Sequence, residues 1–501
     1  MDVIMWSGGL VEGAWFQRYI GPYKIAHWVR KHGYEAQVID YVDRADVDTL
    51  YRMTTRFITT KTKILGISST FISTTSFKWN DGTLSIMPEH VVIVLKRIKE
   101  EYPNIKIVVG GYMADKFPNF GVFDASIMSY YGATEDIFLE YLNYLHTGEN
   151  PPMGEIIFPA FSNGTHRKHY DNARNPKYNI ETDDFRFVQQ DYILQGEPLP
   201  IDISRGCIFA CRFCQYPHLG KNKLDYIRGM NYIEDEIRYN YENFGTKNYY
   251  VLDDTFNDTE IKLQAFYDMT QRLPFKIDYS AYVRADLVHR FPNTAHLLKE
   301  SGMSGVFHGI ESLDPGASKL VGKAWSGTHG RDFLPKLYHD IWKKEVAQHL
   351  SFIVGITGET LDSVKNTAQW FIDNDLASIK FQPLGLFGDD SSKSRKTIQS
   401  EFDRNIEKYG YTLLPGGFAG RINWKNDLWT NKTAAETVVE LKKQVHPHNK
   451  FAAWGVQPLL WYNYGRKKIQ NTKKIEMPNK KIKNKTSTLV ALYFSKVLGE
   501  E

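Results

Sequence analysis

The 501-residue chain has only three cysteines, Cys207, Cys211 and Cys214, and all lie within SRGCIFACRFCQYP (204–217). An odd number of thiols packed into eight residues argues against a disulfide framework and for a metal or nucleophile site, in a reducing compartment. No stretch approaches the roughly 20 apolar residues that span a bilayer, so no membrane partner is expected. The opening MDVIMWSGG lacks the basic region and apolar run of a signal peptide, and the expectation is a soluble, cytoplasmic chain. A formal net charge of +4 is close to balanced and does not by itself announce a nucleic-acid binder. Internal repeats are also lacking. Apolar content of 42% is ample for more than one core, and the length suggests two to four domains.

What is present is alternation. Short apolar runs rich in β-branched residues, Val3–Trp6, Gln37–Tyr41, Ile64–Ser68, Ile105–Gly110 and Ala125–Ser129, are separated by helical patterns at Pro22–His32, Asp46–Thr59, Pro88–Tyr102 and Glu135–Leu145. Thr134 is an N-cap candidate for the last of these. This predicts an α/β chain that opens with a doubly wound, Rossmann-like domain over residues 1–150. Scattered Pro, Gly and Asn make 151–195 a connecting segment. A second series of strands follows at Ile201–Ile203, Tyr249–Leu252, Asp278–Val283, Gly305–Ile310, His349–Val354 and Ser378–Gln382. Six βα units over 196–395 suit a partial, TIM-like (β/α)6 barrel that works at the C-terminal ends of its strands. The region 396–501 reads as mostly helical or irregular, with one helix at Ala434–Lys443 opened by a capping box from Thr433 to Glu436.

The cysteines fall just after the first strand of the second series. Two metals compete for C-x3-C-x2-C. Zinc needs a fourth ligand, and His218, four residues past Cys214, offers a Cys3His site in a non-catalytic, zinc-stabilised binding protein. Such fingers sit in small metal-dependent modules, whereas this site opens a large domain that builds its core without metal. The alternative is a four-iron cluster with three irons on thiolates and the fourth open to a ligand.

C-x3-C-x-aromatic-C after a first barrel strand, with Phe213 as the aromatic, resembles the radical S-adenosylmethionine (SAM) superfamily. The resemblance implies that Cys207, Cys211 and Cys214 hold a [4Fe-4S] cluster whose open iron is chelated by the methionine amino and carboxylate groups of SAM. It implies that an electron from the cluster splits the sulfonium to a 5′-deoxyadenosyl radical, which takes a hydrogen from substrate. It also implies an electron donor such as flavodoxin or ferredoxin.

The later strand ends extend the resemblance. YYVLDDTFND (249–258) places Asp253 and Asp254 where the family faces the methionine moiety, although they could merely cap the next helix, a task to which Asn257 or Asp258 is better suited. In YVRAD (282–286), Arg284 contacts the cofactor carboxylate or makes a surface ion pair. In FHGIESLDPG (307–316), Asp314 and Pro315 supply the N-cap and first turn of a helix. Glu311 and Ser312 are then left for the ribose hydroxyls or amino group of SAM, or for a structural ion pair. In FIVGITGET (352–360), Gly355 would let backbone approach adenine, beside a plainer reading as a glycine turn before the Thr360 cap.

ILGISST (64–70) and VVGG (108–111) are similar to the cobalamin-binding domain that precedes one type of radical SAM barrel. Where that domain carries D-x-H-x-x-G, this chain has GGLVEGAWFQRY (8–19), with no histidine; His27 reads as a helix-face residue. Cobalamin can bind in this subgroup without a histidine ligand, so cobalamin stays open as a cofactor. Methylthiotransferases of similar layout need three further cysteines, which this chain lacks. The implied reaction is reductive SAM cleavage with methyl transfer to an unactivated carbon, or, without cobalamin, a cyclisation, rearrangement or other hydrogen abstraction. Trp424, Trp429, Trp454, Trp461, Tyr462 and Tyr464 serve packing, or else cover the open barrel or contact substrate. The segment 466–485, RKKIQNTKKIEMPNKKIKNK, sets nine basic residues against Glu476 and reads as a mobile, solvated basic tail with no partner, or as one that attracts a polyanionic substrate such as nucleic acid or an acidic glycan.

Overall fold

The computed structural model describes residues 1–8, 18–69, 77–78, 80–82, 84–85, 87–111, 114, 120–128, 134–157, 167–214, 226–323, 325, 327–386, 400–418, 421–450 and 481–500. The chain divides into two compact units: residues 1–200, 239–245 and 478–501 form the first, and 201–238 and 246–477 the second.

The first unit is built on β1 (Val3–Trp6), β2 (Ala36–Ile39), β3 (Ile64–Ser68), the short hairpin β4 (Phe77–Lys78) and β5 (Leu84–Ser85), β6 (Lys106–Gly110) and β7 (Ala125–Ile127). VIMW and ILGIS are buried nearly throughout, as strands covered on both faces must be. Helices Ile20–Lys31, Val47–Thr55, Glu89–Glu101 and Thr134–Thr147 connect them, and Asp46 caps the second by accepting from the Thr49 N–H. Thr134 lies inside the fourth helix rather than before it.

The segment after residue 150 corrects the expectation of a featureless connection. Met153–Ile157 (β8) and Arg167–Asn172 (β9) join the same sheet, whose order is β2-β1-β3-β6-β7-β9-β8. β9 runs parallel to β7 and β8 antiparallel to β9. RKHYDN has none of the β-branched residues that announce a strand, so it is backbone pairing along β7 that makes it one. A further correction is the helix Lys481–Leu498, which takes in the last residues of the basic segment expected to be a mobile tail. Val490, Tyr493 and Val497 are buried at helical spacing, an apolar stripe downstream of the basic residues that hid it. Residues 466–480 and Trp454, Trp461, Tyr462 and Tyr464 lie outside the described residues, as do His218 and residues 9–17.

The second unit carries β10 (Leu199–Asp202), β11 (Asn248–Leu252), β12 (Asp278–Tyr282), β13 (Met303–Glu311), β14 (Ala347–Val354) and β15 (Ser378–Pro383), neighbours in chain order. The pairings from β11 to β15 are parallel. All six strands coincide with the expected runs within a few residues. Sequential parallel neighbours joined by helices are the open, partial barrel.

Side chains alternate between its faces. Leu350, Phe352 and Val354 share one apolar core with Val364, Ala368 and Phe371 of the helix Leu361–Asp373. His308 of β13 stacks at 6.0 Å on Trp342, also on the helix side. Phe307 therefore faces inward, between Tyr282 at 4.9 Å and His349 at 5.2 Å.

Beyond β15 the chain adds an antiparallel hairpin, β16 (Thr412–Phe418) and β17 (Arg421–Lys425), where irregular chain was expected. The following helix runs Asn431–Val445 and is capped by Thr430, not Thr433, one turn earlier than the box read from sequence. Among the described residues no helix is long and apolar enough to cross a membrane.

Candidate active site

The loop leaving β10 carries the three cysteines. Its root is closed by a bridge between Ser204 and Ile227 and by the Arg205 N–H donating to the Tyr226 carbonyl at 3.2 Å. Gly206, at φ +80°, starts the turn. The Cys214 N–H donates to the Cys211 carbonyl at 3.0 Å, a tight turn that sets the C-x2-C pair side by side in the chain.

Arg212 fastens the far end. Its N–H donates to the Val321 carbonyl at 3.0 Å, its guanidinium to the carbonyls of Lys319 and Leu320, and its own carbonyl accepts from Phe402. Phe213 packs against the apolar core rather than standing free.

Each of two sulfurs has a partner from a different strand end. The Cys207 sulfur lies 3.2 Å from the Thr255 hydroxyl, past β11, and accepts from the Phe209 N–H at 3.4 Å. Cys211 accepts from the Arg284 guanidinium at 3.4 Å, past β12. Burial pushes the Cys207 thiol up, with the Asp254 charge adding to it, against the lowering effect of the Thr255 and Phe209 hydrogen bonds. Among the described residues no three His, Cys, Asp or Glu side chains are already gathered as a metal-holding group. The donor set nonetheless suits an iron–sulfur cluster: three half-buried thiols on one loop, with hydrogen-bond donors and one cation at the sulfurs of Cys207 and Cys211.

Arg284 is also held by Asp286, at 3.1 and 2.6 Å, and lies 4.2 Å over the Phe209 ring. Burial alone would lower its pKa, but Asp286 and the cysteines more than offset that and hold it raised. Arg284 thus joins the cysteine loop and Asp286 in this structure, a largely buried ion pair with a contact to sulfur besides.

The two aspartates after β11 part company. Asp253 is buried, bonded to the Lys262 ammonium at 2.9 Å and to the Thr255 N–H at 3.0 Å, with Asp258 at 2.6 Å from the same ammonium. Its side chain is committed to the fold. Asp254 is exposed and sits where its charge acts on Cys207 and Tyr282. The cap of the next helix is Thr259, rather than Asn257 or Asp258. Asn257 instead ties the strand ends together, accepting from the Arg284 N–H at 2.8 Å and donating to its carbonyl at 2.9 Å.

At the end of β13, Glu311 has φ +69°, a left-handed backbone that costs a non-glycine residue about 1–3 kcal/mol. Its carboxylate pairs with Lys323 at 2.9 Å. The Ser312 hydroxyl donates to Glu359 at 2.6 Å and accepts from the Asp314 N–H at 3.0 Å, while Asp314 caps the helix Pro315–Leu320 as expected.

Glu359, inside the quoted FIVGITGET but not singled out, is 3% exposed and has its second oxygen without a hydrogen-bond partner. Burial pushes its carboxyl up to about 8. Gly355, at φ +107°, faces Trp424: a β-carbon there would stand 2.5 Å from the indole. The close approach that its missing side chain permits is to Trp424. Trp424 and Trp429 are both buried, which is the packing role. Thr255, Lys323 and Phe209 have no spacing signal that sequence could supply, because each is defined by a partner far along the chain.

In the first unit, Arg18 is fully buried at the C-terminal end of β2. It donates to Glu197 at 2.5 and 3.1 Å and to the Tyr23 hydroxyl at 2.5 Å, lies 3.4 Å from Asp40, and sits 5.1 Å under the Tyr493 ring. Glycines close β6, with Gly111 at φ +99°. The order β2-β1-β3 places a topological switch point between β1 and β3, where doubly wound sheets take ligands. His27 bonds Asp184 at 3.2 Å on its helix, as a face residue.

Comparison with known proteins agrees with this geometry. Residues 201–371 match the family model of the radical SAM superfamily. An uncharacterized methyltransferase of Pyrococcus horikoshii is 28% identical over 186 residues, 36% of this chain; the match spans only 38% of that relative. Among solved structures, the radical SAM methyltransferase TsrM from Kitasatospora setae, with cobalamin and a [4Fe-4S] cluster bound, superposes with a TM-score of 0.64 at 14% identity, covering 98% of this chain and 100% of that one. The cobalamin-dependent radical enzyme OxsB, with aqua-cobalamin bound, gives 0.55 at 15% identity over 82% of this chain and 56% of its own. At such identities these likenesses establish the fold: a B12-domain-like sheet preceding a radical SAM barrel.

Proposed function

With residues 201–371 a radical SAM domain, which makes the chain an enzyme, we propose that Cys207, Cys211 and Cys214 hold one [4Fe-4S] cluster and that the enzyme cleaves SAM there to methylate an unactivated carbon. The observation that carries this reading is the cysteine loop itself, tied to the ends of β11 and β12 through the Thr255 and Arg284 contacts to sulfur. Held by these three thiolates, the cluster would supply reducing power to the SAM sulfonium, with a flavodoxin- or ferredoxin-type donor as its source.

The chain's own groups do the rest. Arg212 and Asn257 fix the loop and strand ends, Arg284 places positive charge beside the thiolates, and Asp254, Glu311 and Ser312 present polar groups to the cofactor. Cobalamin would be held in the crevice beyond β1, β3 and β6 in this reading. Its support is the sheet order, the glycine-rich end of β6, and the cobalamin held by structures of the same fold. The compartment is the cytoplasm, in keeping with three cysteines that form no disulfide.

The experiment is anaerobic reconstitution with iron, sulfide and hydroxocobalamin, followed by incubation with SAM and a reductant. A bound corrinoid and SAM turnover are expected. A protein that retains corrinoid but leaves SAM intact contradicts the catalytic reading, and one that cleaves SAM without retaining corrinoid moves the chemistry to hydrogen abstraction without methyl transfer.

A further inference from the structure

Three local features converge on one carboxylate at the end of β13. Glu311 holds the left-handed backbone, at φ +69°. Lys323 donates both to its Oε1 at 2.9 Å and to the carbonyl of Gly309. At Gly309 a β-carbon would stand 2.5 Å from that same Oε1 and 3.3 Å from the Lys323 ammonium, so any larger residue there would push the carboxylate from the place where it folds back along its own strand. His308 lies against Trp342 on the helix side and Ile310 is buried in the core shared with the helices, so Gly309 between them faces the inside of the sheet.

None of the three favours the fold. A left-handed glutamate is strained, a glycine inside a strand weakens it, and a charged pair with side chains only 8–10% exposed has lost most of its water. Where strain, glycine and desolvation meet at one group, the surroundings over-determine its position. The pair also adjoins the cysteine loop. The Arg212 N–H of that loop donates to the Val321 carbonyl, two residues before Lys323, at 3.0 Å.

We propose that Lys323 is a positioning residue for SAM: it clamps the Glu311 carboxylate over Gly309, aimed into the barrel, before the cofactor arrives. This rests on the assignment of Glu311 to SAM under the proposed function. Lys323 acts through Glu311 and need not touch the cofactor. The same clamp makes the carboxylate's direction, and not only its charge, part of recognition.

The test is SAM affinity by equilibrium dialysis on reconstituted full-length protein, together with the change that SAM causes in the electron paramagnetic resonance signal of the reduced cluster. Lys323→Met should weaken SAM binding about tenfold at unchanged iron and sulfide content, and Lys323→Arg should recover most of it. Gly309→Ala keeps both charges but displaces the carboxylate, and should give a similar loss. Should Lys323→Met not fold, Gly309→Ala decides. Wild-type affinity in Lys323→Met or Gly309→Ala, with Glu311→Gln impaired, overturns the positioning role alone. Wild-type affinity in Glu311→Gln overturns the assignment of Glu311 and with it the role of Lys323.

Discussion

The guanidinium of Arg284 lies 3.4 Å from the sulfur of Cys211. A cation at that distance stabilises a thiolate and, with it, the reduced form of any cluster the thiolate binds. Arg284→Gln should therefore lower iron retention about 10- to 100-fold and move the cluster's midpoint potential downward, with Arg284→Lys intermediate. Potentiometric titration followed by electron paramagnetic resonance reads this directly. A potential that does not move would leave Arg284 as a partner of Asp286 only.

Asp253 and Asp254 are adjacent in sequence and opposite in role. Asp253→Ala removes one of two carboxylates from the buried Lys262 ammonium and should cost about 3 kcal/mol in chemical denaturation. Asp254→Ala should leave stability within about 0.5 kcal/mol, as an exposed substitution does, while weakening SAM binding. The opposite pattern would exchange the two assignments.

Glu359 makes stability depend on pH. Its carboxyl is raised to about 8 in the folded chain from an ordinary 4.5, so across that window the unfolded chain has lost a proton that the folded chain keeps. Stability is fully present below pH 4.5 and declines towards pH 8, with a slope of at most about 1.4 kcal/mol per unit from this group. Glu359→Gln should flatten the decline between pH 6 and 8, measured as the difference in urea midpoint. An unchanged slope in the variant would mean that Glu359 is ionised in the fold.

Gly355 and Trp424 give a test of packing. Gly355→Ala forces a methyl to within 2.5 Å of the indole at a left-handed φ, and should destabilise the second unit by about 2–3 kcal/mol. Trp424→Leu in the same background should recover part of that loss. No recovery would show that backbone strain alone sets the cost.

The strands were legible because buried parallel strands are apolar throughout: VIMW, ILGIS and AQHLSFIV announce themselves without help from the rest of the chain. RKHYDN was not, because its place in the sheet comes from an existing edge at β7 and not from its own composition. The cysteine loop was legible from spacing alone. Its partners were not: Thr255, Arg284 and Lys323 meet sulfur or carboxylate only once separate strand ends are brought side by side. Asp253 shows the converse. Its residue type suited a ligand, and only the buried Lys262 nine residues on shows that the charge is spent. Local pattern carries the elements, and tertiary proximity decides which polar groups remain for chemistry.

The central claim is that Cys207, Cys211 and Cys214 together hold one four-iron cluster. Iron and acid-labile sulfide should be measured after anaerobic reconstitution of the intact chain, of each single cysteine-to-alanine variant and of His218→Ala. The account predicts about four irons and four sulfides per chain in the intact protein and in His218→Ala, and loss of the cluster in every cysteine variant. One equivalent of zinc without labile sulfide, abolished by His218→Ala, would contradict it.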